Sequence, residues 1–189
     1  TNEILDRVLL LNPNVKIIGY DLDETMLSKA RTRLGNRAFL TSDWDEATSM
    51  ILHSKNPLLN LSSVIHEVYS YSLGNVIKKF WEEQVFGGYF KWITIRDMIP
   101  SLEIGREEIN MFKDDVKKVR NKCDKFYLKS FEERWGDIND NYKVFIHYLL
   151  KYRYTDNWER EVNEDYLPVS LETVKTKIPS SYKIVYEQD

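Results

Sequence analysis

Glycine is scarce in this chain of 189 residues. Only seven glycines are present, about half of the usual share of ~7% in globular proteins. No two of them stand in the spacing G-x-G or G-x-x-x-x-G-K, the patterns whose glycines let a backbone approach phosphate groups. The residues given therefore exclude a complete glycine-rich phosphate or dinucleotide loop.

Cysteine and histidine are rare as well. Cys123 is the single cysteine, so no internal disulfide can form, and a reducing compartment, the cytoplasm, is expected. The three histidines at positions 53, 66 and 147 stand apart from one another. No metal-ligand spacing arises, and we predict no metal site.

Long apolar runs and an excess of basic charge are also missing. No apolar run approaches the ~18 residues of a membrane-spanning helix, and no secretory signal is seen. The net charge of −3 gives no global nucleic-acid signature. The 42% hydrophobic and 30% charged residues are typical of one folded, water-exposed domain outside the membrane.

The first half does contain an alternation of helix-like and strand-like segments. The predicted strands are residues 15–20, 38–41, 58–68 and 90–95. The predicted helices are residues 2–11, the stretch between Asp23 and Gly35, a short helix around 47–51, and residues 72–86. Ile4 and Leu5 lie on the apolar face of the first helix. Such alternation is typical of an α/β fold with a parallel, Rossmann-like sheet and helices on both faces. Ligands of such folds bind at the carboxyl ends of the strands.

The second half is predicted to be a helical extension. Apolar residues spaced alternately three and four apart predict one long amphipathic helix over residues 109–126. An aromatic-rich helix is expected over 139–152, a short helix capped by Ser170, and a strand over 182–186. We therefore interpret residues 1–100 as a cofactor-binding core and 101–189 as a helical extension and closing strand of the same domain.

Residues 17–34 carry the most specific pattern. Asp21 closes a short apolar strand, and a helix with Met26, Ala30 and Leu34 at intervals of four follows. This resembles the class I S-adenosylmethionine-dependent methyltransferases, whose second strand ends in an acidic residue. The resemblance implies that Asp21 accepts the ribose hydroxyls of S-adenosylmethionine and that Leu22 packs on its adenine.

Three later segments extend this resemblance over residues 1–98. Asp43 and Trp44 are similar to the family's residues at the edge and face of the adenine. Residues 61–71 (LSSVIHEVYSY) resemble the fourth strand and the catalytic-face loop, and residues 87–98 (GGYFKWITIRDM) resemble the fifth strand. The resemblance places His66 and Glu67 as catalytic residues, with His66 able to remove a proton from the acceptor. A partly buried, hydrogen-bonded His66 is the alternative, and Arg96 and Asp97 are expected to form an ion pair.

The methyltransferase family also has a first strand and a glycine-rich loop, which are missing here. Residues 1–5 resemble the helix that follows such a loop. The sequence therefore predicts either a fragment or a chain whose sheet is completed by a partner chain or a second copy. The methyl acceptor stays open between a small molecule and RNA. A catalytically inactive, methyltransferase-like binding module is an alternative function.

A second family competes for the same stretch. Residues 17–25 (IIGYDLDET) fit the D-x-D-x-T motif of haloacid-dehalogenase-like phosphohydrolases. That resemblance implies Asp21 as nucleophile, Asp23 as general acid and base, and a bound Mg²⁺. The later acidic pair would be Asp114 and Asp115, which fall on the solvent side of a predicted helix. We favour the methyltransferase because a helix follows Asp21 directly and the later strands also match.

Overall fold

The computed structural model describes residues 2–188, with side chains from Arg7 onward; the side chains of Ile4 and Leu5 therefore lie outside the described residues. It is a mixed α/β structure with 54% helix. The strands are β1 (Ile17–Tyr20), β2 (Ala38–Thr41), β3 (Leu58–Ser62) and β4 (Trp92–Arg96). The α-helices are α1 (Asn2–Leu11), α2 (Glu24–Leu34), α3 (Trp44–Ile51), α4 (Ile65–Tyr71), α5 (Gly74–Lys79), α6 (Lys113–Lys122), α7 (Lys125–Trp135), α8 (Tyr142–Lys151), α9 (Trp158–Glu161) and α10 (Leu171–Lys177).

The chain divides into two compact units, Thr1–Pro57 and Leu58–Asp189. In the first unit β1 and β2 pair in parallel, from Ile17 opposite Ala38 to Tyr20 opposite Thr41. The sequence leaves the cap of α2 open between Asp23 and Thr25, and in the structure it is Asp23, whose side chain accepts a hydrogen bond from the backbone of Thr25. Helix α2 ends at Gly35, whose φ of 54° suits a residue without a Cβ.

The buried face of α2 agrees with the predicted one except at Met26. Of the predicted residues, Leu34 is buried and Ala30 is half-buried, whereas Met26 is 46% exposed. Leu27 is buried in its place, and it lies seven residues before Leu34, on the same side of the helix.

In the second unit β3 and β4 also pair in parallel, from Leu58 opposite Trp92 to Ser62 opposite Arg96. The strand predicted over 58–68 is too long, because β3 ends at Ser62 and α4 begins at Ile65. Ser63 makes the turn between them with a φ of 58°, in the left-handed region that non-glycine residues rarely adopt.

The strand pairs are two separate two-stranded parallel sheets, and the described residues do not form one continuous Rossmann sheet. In the β3–β4 pair the two faces also differ. Leu61 and Ile95 pack on a cluster that includes Ile65, Trp81 and Val85, whereas Leu58 and Trp92 are about half exposed. Alternation of buried and exposed side chains along each strand is typical of a strand pair with one solvent-exposed side.

The long helix predicted over 109–126 is broken. A 3₁₀ turn covers Ile109–Phe112, α6 follows, and Cys123 adopts an extended backbone. Asp124 then caps the start of α7. Because the helix restarts there, Phe126 falls out of register with the apolar stripe and is 71% exposed.

The helical part of the second unit has its own core, formed by residues of α6 to α9 and the segments between them, including Phe131, Ile138, Phe145, Tyr148 and Trp158. Ser170 caps α10 as predicted. Residues 182–186, predicted as a strand, adopt no regular structure. They pair with none of the four described strands, and β propensity acts mainly through such pairing. Among residues 2–188, no helix has the length and apolar character needed to cross a membrane.

Candidate functional site

The four predicted cofactor residues lie together in the first unit. Asp21 directly follows β1, and Asp43 follows β2 after one intervening residue. Because β1 and β2 are parallel neighbours, these carboxylates stand at the same edge of the strand pair. Asp21, Leu22 and Asp43 are exposed, so they are accessible to a ligand.

At this edge, Asp23 and Asp43 are the helix caps. Asp23 caps α2, and the hydrogen bond from the backbone of Thr25 lowers the pKa of its carboxyl group. A lowered pKa is unfavourable for the general acid that the phosphohydrolase interpretation requires. Asp43 caps α3 by accepting from the backbone of Asp45 and Glu46. Asp21 caps no helix, and its Oδ1 accepts a hydrogen bond from the backbone of Asp23 at 2.9 Å.

Two apolar side chains flank these carboxylates. The ring of Trp44 packs edge-on against Tyr20, with ring centres 5.1 Å apart. Leu22 exposes 78% of its surface. A large apolar side chain this exposed beside a strand-end carboxylate provides a surface on which a flat ring can pack.

The second unit contains a cleft of about 380 Å³ at the carboxyl ends of β3 and β4. Its walls come from the β3–α4 turn, the end of β4 and the segment 154–166. The lining residues are Ser63, His66, Glu67, Arg96, Asp97, Met98, Tyr154, Arg160, Glu161, Glu164 and Tyr166. Both predicted catalytic residues, His66 and Glu67, line it, from the first turn of α4 rather than from a strand end.

A buried histidine–aspartate pair forms one wall of the cleft. Nδ1 of His66 lies 2.6 Å from Oδ1 of Asp97, and both side chains are almost fully buried. Oδ2 of Asp97 accepts from the backbone of Ile65 at 2.6 Å, and Oδ1 accepts from the backbone of Met98 at 2.8 Å. Asp97 therefore holds both the imidazole ring and the start of α4.

The charges around this pair act in opposite directions on the two pKa values. Burial alone lowers the pKa of His66, but the hydrogen bond and negative charge of Asp97, with the carboxylates of Glu164 and Glu67, raise it above the ordinary value. Burial alone raises the pKa of Asp97, and the bonds from His66 and Met98 outweigh that effect and lower it. Asp97 is therefore ionised at neutral pH, so Nδ1 of His66 carries the hydrogen and donates it.

A second buried carboxylate lies on the other side of the imidazole. Oε2 of Glu164 is 3.9 Å from Nε2 of His66, and the Glu164 side chain is 2% exposed. Its Oε1 accepts from the hydroxyl of Tyr71 at 2.8 Å and from Nε of Arg160 at 2.7 Å. Arg160 also pairs with Glu67, whose pKa is raised, mainly by burial.

Tyr166 forms the floor of the cleft beside His66. The two rings meet edge to face with centres 5.0 Å apart, and the Tyr166 hydroxyl donates to Glu161. Nζ of Lys151 lies 3.6 Å from the centre of the Tyr166 ring. Lys151 is fully buried, and burial lowers the pKa of its ammonium group to about 8. These contacts hold the tyrosine ring in place from three sides.

Several site residues were not predicted from the sequence. Glu164, Arg160, Glu161 and Tyr166 come from the second half of the chain, where no methyltransferase site residue was predicted. The spacing of Arg160 and Glu164 by four residues could have indicated an ion pair on one helical turn. The expected partner of Asp97 was Arg96, but its carboxylate bonds His66 instead, and Nη1 of Arg96 donates to Ser62 at 3.2 Å.

Two further findings concern possible metal ligands and known proteins. Within residues 2–188, no three His, Cys, Asp or Glu side chains are placed to share a metal ion. Comparison of the chain with protein-family profiles, with curated proteins and with solved structures finds no match in any of the three.

Proposed function

We propose that this chain is an S-adenosylmethionine-dependent methyltransferase module. In this proposal the edge of β1–β2 binds the cofactor, and the cleft of the second unit binds the methyl acceptor. The observation that carries it is the buried His66–Asp97 pair, which opens into a cleft at the carboxyl ends of two parallel strands, where ligands of α/β folds bind. The Rossmann-like α/β fold expected from the sequence is part of the same proposal.

The residues at the first edge fit the proposed cofactor. Asp21 uses Oδ1 for the backbone of Asp23, which leaves Oδ2 to accept hydrogen bonds from ribose hydroxyls. Exposed Leu22 and half-buried Trp44 provide apolar contacts for the adenine ring, and Asp43 can accept from its amino group. When bound, S-adenosylmethionine supplies an electrophilic methyl group on a positively charged sulfur.

His66 acts as the general base in this mechanism. Asp97 fixes the imidazole with its hydrogen on Nδ1, so the neutral ring presents the lone pair of Nε2. A nucleophile in the cleft within hydrogen-bond distance of Nε2 can transfer its proton there. The two carboxylates of Asp97 and Glu164 stabilise the imidazolium that forms. The remainder of the rate comes from holding the acceptor in line.

Calorimetric titration with S-adenosylhomocysteine tests the cofactor site. The wild-type chain is expected to bind, and Asp21→Asn is expected to weaken binding at least tenfold, because a charge-assisted bond to the ribose is lost. Asp45→Asn, on the exposed first turn of α3, is the matched control and should bind normally. Absence of binding by the wild type, or equal binding by Asp21→Asn, would refute the proposal.

A transfer assay separates an enzyme from a binding module. Incubation with S-adenosylmethionine and a mixture of candidate acceptors should release S-adenosylhomocysteine. His66→Gln should reduce kcat by about 10²-fold or more, as expected for loss of a general base, while leaving cofactor binding intact. Binding without any turnover would instead support the inactive methyltransferase-like module.

A further inference from the structure

When the His66 ring is neutral, two hydrogen-bond acceptors in the cleft wall face each other. Nε2 of His66 and Oε2 of Glu164 are 3.9 Å apart, too far for a hydrogen bond between them. Neither atom has a hydrogen-bond partner among residues 2–188. Among the fully covered polar side-chain atoms of those residues, Nε of Arg120 alone lacks a partner, so Nε2 and Oε2 are reached from the cleft.

Both acceptors are held in position by their other contacts. Asp97 fixes His66 through Nδ1, and Tyr71 and Arg160 fix Glu164 through Oε1. The two side chains are 6% and 2% exposed, so their rotation is restricted by packing. Because both acceptors are reached from the cleft, a ligand with two suitably placed donors can bond both of them at once.

We propose that the space between His66 Nε2 and Glu164 Oε2 binds the primary ammonium group of a ligand. A single atom can lie about 2.9 Å from both acceptors, at a normal hydrogen-bond distance from each. An amino nitrogen carries two or three hydrogens and can direct one to each acceptor. A hydroxyl or thiol carries a single hydrogen and can satisfy only one of them.

The rest of the cleft favours a cation over a neutral amide. Its walls carry four carboxylates, of Glu67, Asp97, Glu161 and Glu164, against two guanidinium groups and the ammonium of Lys151 beside Tyr166. A concave site with a surplus of one charge concentrates the opposite charge. Tyr154, which is 54% exposed, adds an aromatic surface, which also favours cations.

This inference rests on the proposed function and specifies its acceptor as a primary amine. In the transfer, one N–H proton passes to Nε2 of His66. The nitrogen lone pair forms the bond to the methyl carbon as the carbon–sulfur bond of the sulfonium donor breaks, and the electrons of that bond remain on sulfur. Glu164 keeps the second N–H directed away from the reacting lone pair, and so it is a positioning residue.

Three benzyl compounds that differ in their polar head group test the binding site in the full chain without any methyl donor. Benzylamine has both the charge and the N–H groups, benzyltrimethylammonium has the charge alone, and benzyl alcohol has one O–H and no charge. The dissociation constants are measured by NMR titration, with the imidazole resonances of His66 as the local reporter. Benzylamine should bind at least tenfold more tightly than the other two and shift the His66 signals.

Variants then assign the binding to Glu164. Glu164→Gln should weaken benzylamine binding about tenfold, whereas Glu159→Gln, an exposed change on the same segment, should leave it unchanged. If Glu164→Gln fails to fold, the ranking of the three probes on the wild-type chain decides alone. Equal binding of benzylamine and benzyl alcohol, equal binding of benzylamine and benzyltrimethylammonium, or no shift at His66 would overturn the inference.

The result also separates this inference from the proposed function. Amine binding at His66 in a chain that does not bind S-adenosylhomocysteine would support the ammonium site and refute the methyltransferase. Cofactor binding and transfer to a hydroxyl acceptor, with no amine binding, would refute the ammonium site alone.

Discussion

Two buried histidines of the second unit lie in opposite electrostatic surroundings. His66 faces the carboxylates of Asp97 and Glu164, which raise its pKa against the effect of burial. His147 is buried near the cation of Lys151, and burial lowers its pKa to about 3. When the ring is neutral, its Nε2 accepts a hydrogen bond from the backbone of Tyr166 at 3.1 Å; the backbone oxygen of Glu164 is 3.3 Å away. His66 is therefore ready to take up a proton, and His147 supports the segment that carries Tyr166.

NMR titration of the histidine ring protons should show this contrast. We expect the His66 resonance to titrate with a midpoint above 6.5, and His147 to stay neutral until about pH 3 or until the protein unfolds. Assignment by His66→Gln and His147→Gln provides the control. A midpoint for His66 below 6.5 would show that burial outweighs the two carboxylates.

The same shifts make stability depend on pH in opposite directions. The raised pKa of His66 adds stability that is full below the unfolded value of 6.5 and is lost as pH rises through the folded pKa. The lowered pKa of His147 adds stability that is present above 6.5 and is lost as pH falls toward 3. We expect His147→Gln to reduce acid destabilisation below pH 6.5 by on the order of 1 kcal/mol per pH unit. Urea unfolding of both proteins at pH 7 and pH 5 measures this, and parallel losses would contradict it.

At the scale of the elements, two of the few glycines have very different surroundings. A Cβ on Gly87 would lie 2.1 Å from the backbone oxygen of Glu83, so the turn after the π-helical segment Phe80–Val85 requires glycine there. A Cβ on Gly74, at the start of α5, would meet no atom within 4 Å. Glycine is rare in this chain, and at Gly87 its lack of a side chain is essential.

Paired substitutions test this difference. Gly87→Ala should destabilise the protein by about 2 kcal/mol or more, because backbone must move to admit the methyl group. Gly74→Ala should be neutral or stabilising by up to ~1 kcal/mol, since alanine favours the helix. Thermal unfolding of both variants gives the comparison, and similar melting temperatures would argue against a close contact at Gly87.

Local signals predicted the elements well where a single residue sets the boundary. The caps at Asp23 and Ser170 and the end of α2 at Gly35 follow from side-chain or backbone geometry within a few residues. The break at Cys123 was missed because the apolar spacing continues across it. Asp124, a good helix cap, was the local signal of a new helix.

At the scale of the whole molecule, the chain comprises two compact units that meet in sequence at Pro57 and Leu58. The connecting residues 53–56 have no regular structure beyond turns and bends and are exposed. Short exposed connections of this kind are preferred sites of proteolysis.

Limited digestion with trypsin should cut first at this connection. Lys55 is exposed within it, so we expect early fragments that end at Lys55 and begin at Asn56, identified by mass spectrometry. Lys55→Gln should remove this cut and leave the intact chain as the main early species. A first cut within α6, α7 or α8 would show that the helical part opens more easily than the connection.

Some residues of the candidate site were predictable from the sequence, and others were not. The strand-end position of Asp21 was predictable from alternation and local pattern, whereas His66 and Glu67 were expected at the end of a strand and lie in the first turn of α4. Glu164 was not predictable, because it is 98 positions from His66 in the chain and belongs to a short irregular segment. No periodicity connects two residues so distant in sequence.

The sequence by itself determined the local elements of this protein, since helix caps, apolar spacing and turn residues act over a few positions. It also determined that no complete glycine-rich loop lies within these residues. Only the tertiary structure decided which polar side chains are buried together. His66, Asp97 and Glu164 come from three separate segments and meet in one cleft, where removal from water sets their charges and leaves two acceptors facing each other.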